Sequence, residues 1–570
     1  MNYPTPAIVG QNAVRPLPRW TLLLLCLAYV VPGFVGRGPW KNADVAAFGY
    51  MLELANGRTA WLAPQLGGLP PETDGLLPYW LGAWAIQIIP DGLMAPEMAA
   101  RLPFMALLVL TLAATWYGVY YLARSPGAQP VAFAFGGEAR PSDYARAIAD
   151  GALLALIACL GLAQLSHEAT GYLAQLACAA LIFFAVATLP YHSVAPALAM
   201  VAGMLGLTLA GAPTFAALLG AGSITLVALA PPNPAEPSDR RLRWVVALTV
   251  VTVLAAVLAW QLDLWRWRLV DAATEGKEFR SLARLLLWFG WPAWPLAAWT
   301  LWRWRKQLFN RRLHRHLWLP LWFALVSVAA TFTTQPADRA LLVGLPAMAA
   351  LAAFALPTFR RSMAALIDWF TLLFFSASAL TIWVIWFAMQ TGIPAQPAAN
   401  VTKLAPGFTP EFSWLAVAVA LAASVAWCRL VWWRAARNRA AIWKSLVLPA
   451  SGAALGWLLL TTLWLPLLDY ARSYAPQARK LSAALGPNPG CVQMLGLSRA
   501  QVAALQYHAR LRLQPASQTA HCPWLVADSG AWQAPSDLVN PAHWTQQAVI
   551  GRPTDKNEFI LLLRRKASPD

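Results

Sequence analysis

The sequence predicts an all-α polytopic membrane protein of about thirteen transmembrane helices, followed by a small C-terminal α/β soluble domain. Three observations carry that prediction. First, 59% of the 570 residues are apolar and 12% charged, the mean hydropathy is +0.50, and there are 31 Trp, the aromatic that settles at membrane interfaces. Second, the apolar residues come in long runs separated by short basic blocks. The net charge of +18 and pI of about 10.1 therefore follow the positive-inside pattern and exclude a nucleic-acid partner. Third, from Asp469 onward short apolar runs alternate with polar stretches, as in a small soluble fold.

Arg15 and Arg19 precede the first apolar run, Trp20 to Gly36. No small-residue cleavage site follows it, so the run reads as a retained span with a cytoplasmic N-terminus. Further apolar stretches at 76–89, 103–123, 150–165, 171–190, 193–211, 214–230, 244–260, 282–302, 317–333, 340–357, 363–389, 412–432 and 445–466 bring the total to about fourteen. Charge removes one. The blocks Arg240/Arg241/Arg243, Arg303 to Arg315, Arg360/Arg361 and Arg429 to Lys444 share the cytoplasmic side with Arg124/Arg140/Arg146 only if the chain crosses once between Arg37 and Arg124. The segment 76–89, between Pro78 and Pro90, is short for a span and reads as a juxtamembrane or re-entrant helix on the outer face. This gives a transmembrane region 1–468 with a large first periplasmic loop, 37–102, and a periplasmic α/β domain, 469–570. The setting is a bacterial inner membrane.

Acidic residues concentrate on the outer side, among them Asp44, Glu53, Glu72, Asp74 and Glu168. A carboxylate at the mouth of a helical bundle is costly unless a cavity or a partner satisfies it, which makes each a site candidate. Of six Cys, Cys26, Cys159, Cys178 and Cys428 fall in or beside apolar segments as small hydrophobes. Cys491 and Cys522 stand in the extracytoplasmic tail, an oxidising compartment where a disulfide persists. The tail places apolar runs at Cys491 to Leu497, Trp524 to Ala527 and Phe559 to Leu563 around a helical stretch, Ser498 to Leu513.

The first outer loop reads WKNADVAAFGYMLELANG at 40–57, WLAPQLGGLPPETDGLLPYWLGA at 61–83 and AARLP at 99–103. In this order the segments resemble membrane glycosyltransferases of GT-C type, the superfamily of the protein O-mannosyltransferases and the lipid A aminoarabinose transferase. Asp44 matches the family's first acid, and Trp61, Pro64 and Gly68 its middle stretch. Tyr79-Trp80-Leu81 and Arg101-Leu102-Pro103 match the rest. The family often carries two adjacent acids where this chain has Asp44 alone, and its second acid falls here on either Glu72 or Asp74. SHEAT at 166–170 occupies an outer turn where relatives carry a further polar residue, so His167 and Glu168 either line the site or cap that turn.

The resemblance implies transfer of a sugar from a polyprenyl-phosphate donor, such as undecaprenyl phosphate, to an acceptor on the periplasmic face: lipid A, another surface glycan, or protein. Asp44 is then the catalytic base, an unpaired carboxylate facing a cavity open to lipid and water. Arg101 and Arg339 lead the candidates for the leaving phosphate, with Arg58, Arg266, Arg268 and Lys277 behind them. The resemblance fixes no cofactor. A divalent metal held by Glu72, Asp74, His167 and Glu168 stays open, although no ligand spacing is diagnostic. The other readings are a polysaccharide polymerase or ligase and a lipid-linked sugar transporter. A transporter would show internal repeats and polar residues at mid-membrane depth, and neither is evident.

The topology is tested by reporter fusions. Those after Arg243, Arg315 and Lys444 should report cytoplasm, and those after Gly75 and at the C-terminus the opposite side. A cytoplasmic tail overturns the count of thirteen.

Overall fold

The computed structural model describes residues 5–72, 75–90, 92–231, 238–265, 276–310, 313–436, 441–519, 522–534 and 537–566. The chain opens with α1 (Arg19–Val30), and two short helices follow in the first loop, α2 (Ala43–Ala55) and α3 (Leu77–Ile88). At 12 residues, about 18 Å, α3 is too short to cross a membrane core and packs on α2 instead. Then come α4 (Pro96–Ala123), α5 (Pro141–Ala158), α6 (Leu160–Leu165), α7 (Gly171–Thr188), α8 (Val194–Leu209), α9 (Pro213–Leu229) and α10 (Ser238–Gln261). The second half continues with α11 (Gly276–Phe289), α12 (Ala293–Arg303), α13 (Arg305–Leu308), α14 (Arg315–Thr333), α15 (Ala337–Leu342) and α16 (Leu345–Ala355). It closes with α17 (Arg361–Thr391), α18 (Ala395–Leu404), α19 (Trp414–Ala436), α20 (Lys444–Leu460) and α21 (Leu465–Arg472).

All thirteen apolar stretches taken as spans contain helix, but not all as single rods. Among the described residues six helices are long and apolar enough to cross a membrane by themselves, or seven if α20 and α21, bent by 70°, form one span. Several others are broken. The stretch 150–165 divides between α5 and α6, 282–302 between α11 and α12, and 340–357 between α15 and α16. A break at membrane depth leaves backbone groups that lipid cannot satisfy, so a neighbouring element must supply partners. Here the Leu160 amide, just past the α5 break, donates to Trp291 O beside the α11–α12 break at 3.1 Å.

The bundle centre is made of small residues. Every residue of α16 is buried, and Ala347, Ala349, Ala350, Ala352, Ala353 and Ala355 let α5 and α12 approach closely. Buried polar side chains tie these helices, with Thr300 Oγ1 donating to Leu351 O at 2.7 Å and Trp304 Nε1 to Phe354 O at 3.1 Å. By contrast α10, α17 and α19 expose most of their apolar surface, Leu366, Leu373 and Leu415 among it, as helices that face lipid do.

The tail adds α22 (Ala475–Leu485), α23 (Arg499–His508) and strands β1 (Cys491–Leu495), β2 (Arg512–Pro515), β3 (Trp524–Asp528), β4 (Trp544–Arg552) and β5 (Asp555–Arg565). The five strands form one sheet in the order β2-β1-β3-β5-β4, with β1 parallel to both its neighbours and β5 antiparallel to β3 and β4. Ser498 caps α23 in a reciprocal pair with Gln501. The helix is shorter than the stretch to Leu513 read from sequence. Arg510 takes a positive φ of 52° that ends it, and residues from Arg512 add a strand beside β1. Docking to the transmembrane part is close. A methyl group on Gly49 of α2 would lie 2.6 Å from the Cβ of Ala503 in α23.

Cys491 and Cys522 are bridged, 31 residues apart, with Cα atoms 5.2 Å from one another. The bridge joins the start of β1 to the approach of β3, and closing a loop of that length contributes roughly 3–4 kcal/mol in the entropy model. Non-reduced protein should therefore yield no alkylatable thiol at either position, and Cys491→Ala should lower the tail's resistance to protease. Two free thiols at these positions would remove the idea.

Candidate functional site

The end of the bundle next to the first loop is organised around a buried ion pair. Arg37 leaves the end of the first apolar run and is 5% exposed, while Asp44 in the first turn of α2 is 1% exposed. Arg37 Nη1 reaches Asp44 Oδ2 at 2.6 Å. The same guanidinium donates through Nε to Gly33 O at 2.9 Å and through Nη2 to His167 O at 2.7 Å. Asp44 Oδ2 also accepts the Trp40 amide at 3.0 Å, and Oδ1 accepts the Ala169 amide at 2.8 Å. One residue pair thus joins the end of the first span, the first long loop and the turn 166–170.

This differs from the unpaired carboxylate expected at a cavity mouth. Asp44 is enclosed and both of its oxygens are engaged, because Arg37, a buried cation, must be neutralised. Asp44 is no helix cap either, since Asn42 holds that position without a side-chain cap bond. Burial by itself pushes the Asp44 carboxyl up, yet the Arg37 and Arg101 charges, with the Arg37 and Trp40 hydrogen bonds, outweigh it and hold the group below its ordinary value. Asp44 is ionised at neutral pH.

Around the pair lies a second ring. Arg101, 2% exposed, donates to Arg37 O at 2.6 Å. Asp469 of α21 accepts the Gly38 amide at 2.9 Å and Trp40 Nε1 at 3.0 Å. The Arg37 and Arg472 guanidiniums stand 4.4 and 5.2 Å from the Trp40 ring. On the other side of the turn Arg339 Nη1 meets Glu168 Oε2 at 2.6 Å, and Gln164 Nε2 donates to Glu168 Oε1 at 3.1 Å.

Arg339 opens onto a cavity of about 530 Å³ between α7, α9, α14 and α15. Leu218, Leu264, Trp322, Leu325 and Ala329 line its walls, and Tyr172, Gln175 and Arg339 supply its polar end. The Arg339 guanidinium lies 5.0 Å from the Tyr172 ring. An apolar groove ending on a cation suits an amphiphile with an anionic head.

His167 does not line this cavity. Its ring packs among Tyr29, Phe34 and Trp457, with centroids 5.4, 5.0 and 4.8 Å away. A methyl on Gly33 would fall 2.2 Å from His167 Cδ2, so only glycine fits there. The ring nitrogens reach Tyr29 O, at 3.0 Å, and Ala163 O. Glu72 is exposed and meets Arg499 Nη1 of the tail at 3.4 Å, whose Nε also donates to Pro70 O at 2.6 Å. It thus ties loop to tail and joins none of the interactions of the Arg37–Asp44 ring. Arg58 pairs with Glu53 at 3.2 Å. Asp74, Arg266 and Arg268 lie outside the described residues, as does the side chain of Lys277. Among the described residues no three His, Cys, Asp or Glu side chains converge to hold a metal. The imagined ligand set separates physically, with Glu72 on the tail, His167 among rings and Glu168 on Arg339.

Sequence reading missed Arg37, Asp469 and Arg472. A signal existed for the first: an isolated arginine just beyond an apolar run calls for a partner.

This architecture is the one expected from the sequence, a polytopic helical membrane bundle with a small α/β tail. Two crystal structures of ArnT from Cupriavidus metallidurans share it, one bound to undecaprenyl phosphate (TM-score 0.59) and one in the apo state (TM-score 0.57). Each is 15% identical, and each match covers 96% of this chain and 98% of that one. The likeness is one of fold. No family model matches the sequence, and no curated protein matches it.

Burial pushes the His167 imidazole down to about 4 from an ordinary 6.5, despite the carbonyls that favour its charged form. The folded state therefore prefers the neutral ring. Its stabilisation is fully present above pH 6.5 and falls away as pH drops toward about 4, by about 3 kcal/mol over the window. Thermal midpoints of purified protein should decline between pH 6.5 and 5, and His167→Gln should flatten that decline. An equal slope in the variant would discard the assignment.

Proposed function

We propose that the chain transfers a sugar from a polyprenyl-phosphate donor to an acceptor on the outer face of the membrane, with lipid A, another surface glycan and protein as the acceptor classes. The observation that carries this reading is the cavity that is apolar along its walls and ends on Arg339, one ion pair away from the turn that Asp44 holds. The undecaprenyl phosphate bound in one of the ArnT structures supports the same donor class.

A phosphate-linked sugar carries its own activation, so the site needs a clamp, a base and a lipid groove. In this reading Arg339 binds the donor phosphate. As the acceptor hydroxyl oxygen bonds the anomeric carbon, the bond from that carbon to the phosphate oxygen breaks. The electron pair leaves on the lipid phosphate, where the guanidinium stabilises it. Asp44 is enclosed, so in this reading the acceptor reaches it by displacing the Ala169 amide, and the hydroxyl proton then passes to Asp44. Of the two Asp44 oxygens, Oδ1 is the receiving atom, because it accepts only the Ala169 amide whereas Oδ2 accepts from both Arg37 and Trp40. Glu168 is next to Ala169 and pairs with Arg339, so the same turn carries contacts to clamp and base. Arg37 and Arg101 are positioning residues that keep Asp44 charged.

Mass spectrometry of surface lipids and glycoproteins from a deletion strain should show loss of one sugar modification, restored by the wild-type gene. An unchanged sugar complement would overturn the function. In a transfer assay, Arg339→Gln and Asp44→Asn should each lose about a hundredfold or more in rate. Asp44→Asn also strands the Arg37 charge, a cost of about 3–5 kcal/mol, so a structural role would mimic a catalytic one. The double variant Arg37→Gln/Asp44→Asn separates them. It should recover thermal stability without recovering transfer, and a return of transfer would make Asp44 structural only.

A further inference from the structure

A second large cavity lies at the opposite end of the bundle. It occupies about 750 Å³ between α17, α19 and α20. The Arg37 ring stands beyond the far end of α20, where α21 brings Arg472 and Asp469 to Trp40. The 17 residues of α20 put about 25 Å between its ends. Trp464 Nε1, bonded to Ile382 O at 3.0 Å, fixes the outer half of α17 to that same far end.

The lining of this cavity is amphiphilic. Arg360, Arg434 and Lys444 contribute three cations against one carboxylate, Asp368. Phe359, Trp369, Leu372, Val431 and Leu448 contribute apolar wall. Arg434 pairs with Asp368 through Nη2, yet Arg434 Nε and Asp368 Oδ1 are buried without a hydrogen-bond partner among the described residues. A buried guanidinium N–H left unmet costs free energy that an anionic oxygen would recover. Beside the cavity, Trp369, Leu373 and Trp432 are exposed on the lipid-facing surfaces of α17 and α19, so a molecule seated there is continuous with the bilayer.

We propose that this cavity binds an anionic diacyl phospholipid, with Arg360, Arg434 and Lys444 holding its phosphate and Trp369, Leu372 and Leu448 the first carbons of its chains. Three points favour a lipid over free phosphate. The volume far exceeds that of the ion, much of the wall is apolar, and the apolar surface runs on into the lipid-exposed helix faces. The excess of cations over carboxylates favours a net anionic headgroup over a zwitterionic one. Neither cavity nor residues belong to the proposed transfer site, so the two readings stand or fall separately.

Full-length protein in detergent is titrated with phosphatidylglycerol, phosphatidylethanolamine or inorganic phosphate, and bound lipid is counted by native mass spectrometry. Phosphatidylglycerol should be retained at about tenfold lower concentration than phosphatidylethanolamine, and millimolar phosphate should not displace it. Arg360→Gln/Lys444→Gln should erase that preference while leaving transfer unchanged. A photoactivatable phosphatidylglycerol added to wild-type protein should label peptides carrying Trp369 or Leu448, which keeps the test decisive if the variant does not fold. Equal retention of the two lipids, displacement by phosphate, or labelling confined to other peptides would each overturn the proposal.

Discussion

The buried pairing of Arg37 with Asp44 is the constraint on which the first-loop end of the structure depends. A guanidinium and a carboxylate removed from water are each expensive, and neither can leave alone without stranding the other. Arg37 uses three nitrogens on four partners, Gly33 O, Gly38 O, Asp44 and His167 O. The loop is tied to the bundle through these contacts. The remaining oxygen of Asp44 then holds the amide of Ala169, and the turn that carries Glu168 is fixed with it.

From that pair the order spreads outward through contacts distant in sequence. Asp469 and Arg472, more than four hundred residues from Trp40, close over its ring and bring the last helix of the bundle against the first loop. The tail follows directly. Arg552 Nη2 donates to Ala471 O at 2.7 Å and Arg499 reaches Pro70 and Glu72, so the α/β domain is held at both the end of the bundle and the loop. In the reading proposed above, this rigidity keeps a charged carboxylate in register with Arg339, where an Å of misplacement is costly for transfer chemistry.

The membrane part obeys a different rule. Its central helix α16 meets its neighbours through alanine, and at the α5 break another segment supplies the missing backbone partner, Trp291 O for Leu160. Charge is pushed to the two ends. At one end it is consumed in ion pairs around Asp44 and Glu168, and at the other it lines an open cavity with more cations than carboxylates.

Much of this was legible residue by residue. Long apolar runs and basic blocks identify a helical membrane protein because lipid accepts little else, and the runs in the tail with Cys491 and Cys522 announced a small bridged α/β unit. Asp44, Glu168 and Arg339 stood out because charge at a membrane boundary needs a reason, and Arg101 because it matches a motif of the resemblance. Their states were not legible. Whether Asp44 is free or paired depends on Arg37, and whether Glu72 faces the bundle or the tail depends on Arg499, 427 residues away. Helix breaks at Cys159 and Trp291, and the strand after Arg510, likewise answer to neighbours. Local pattern selects which residues can be buried or charged. Only packing between distant segments sets which charge neutralises which, because that energy exists only once both have left water.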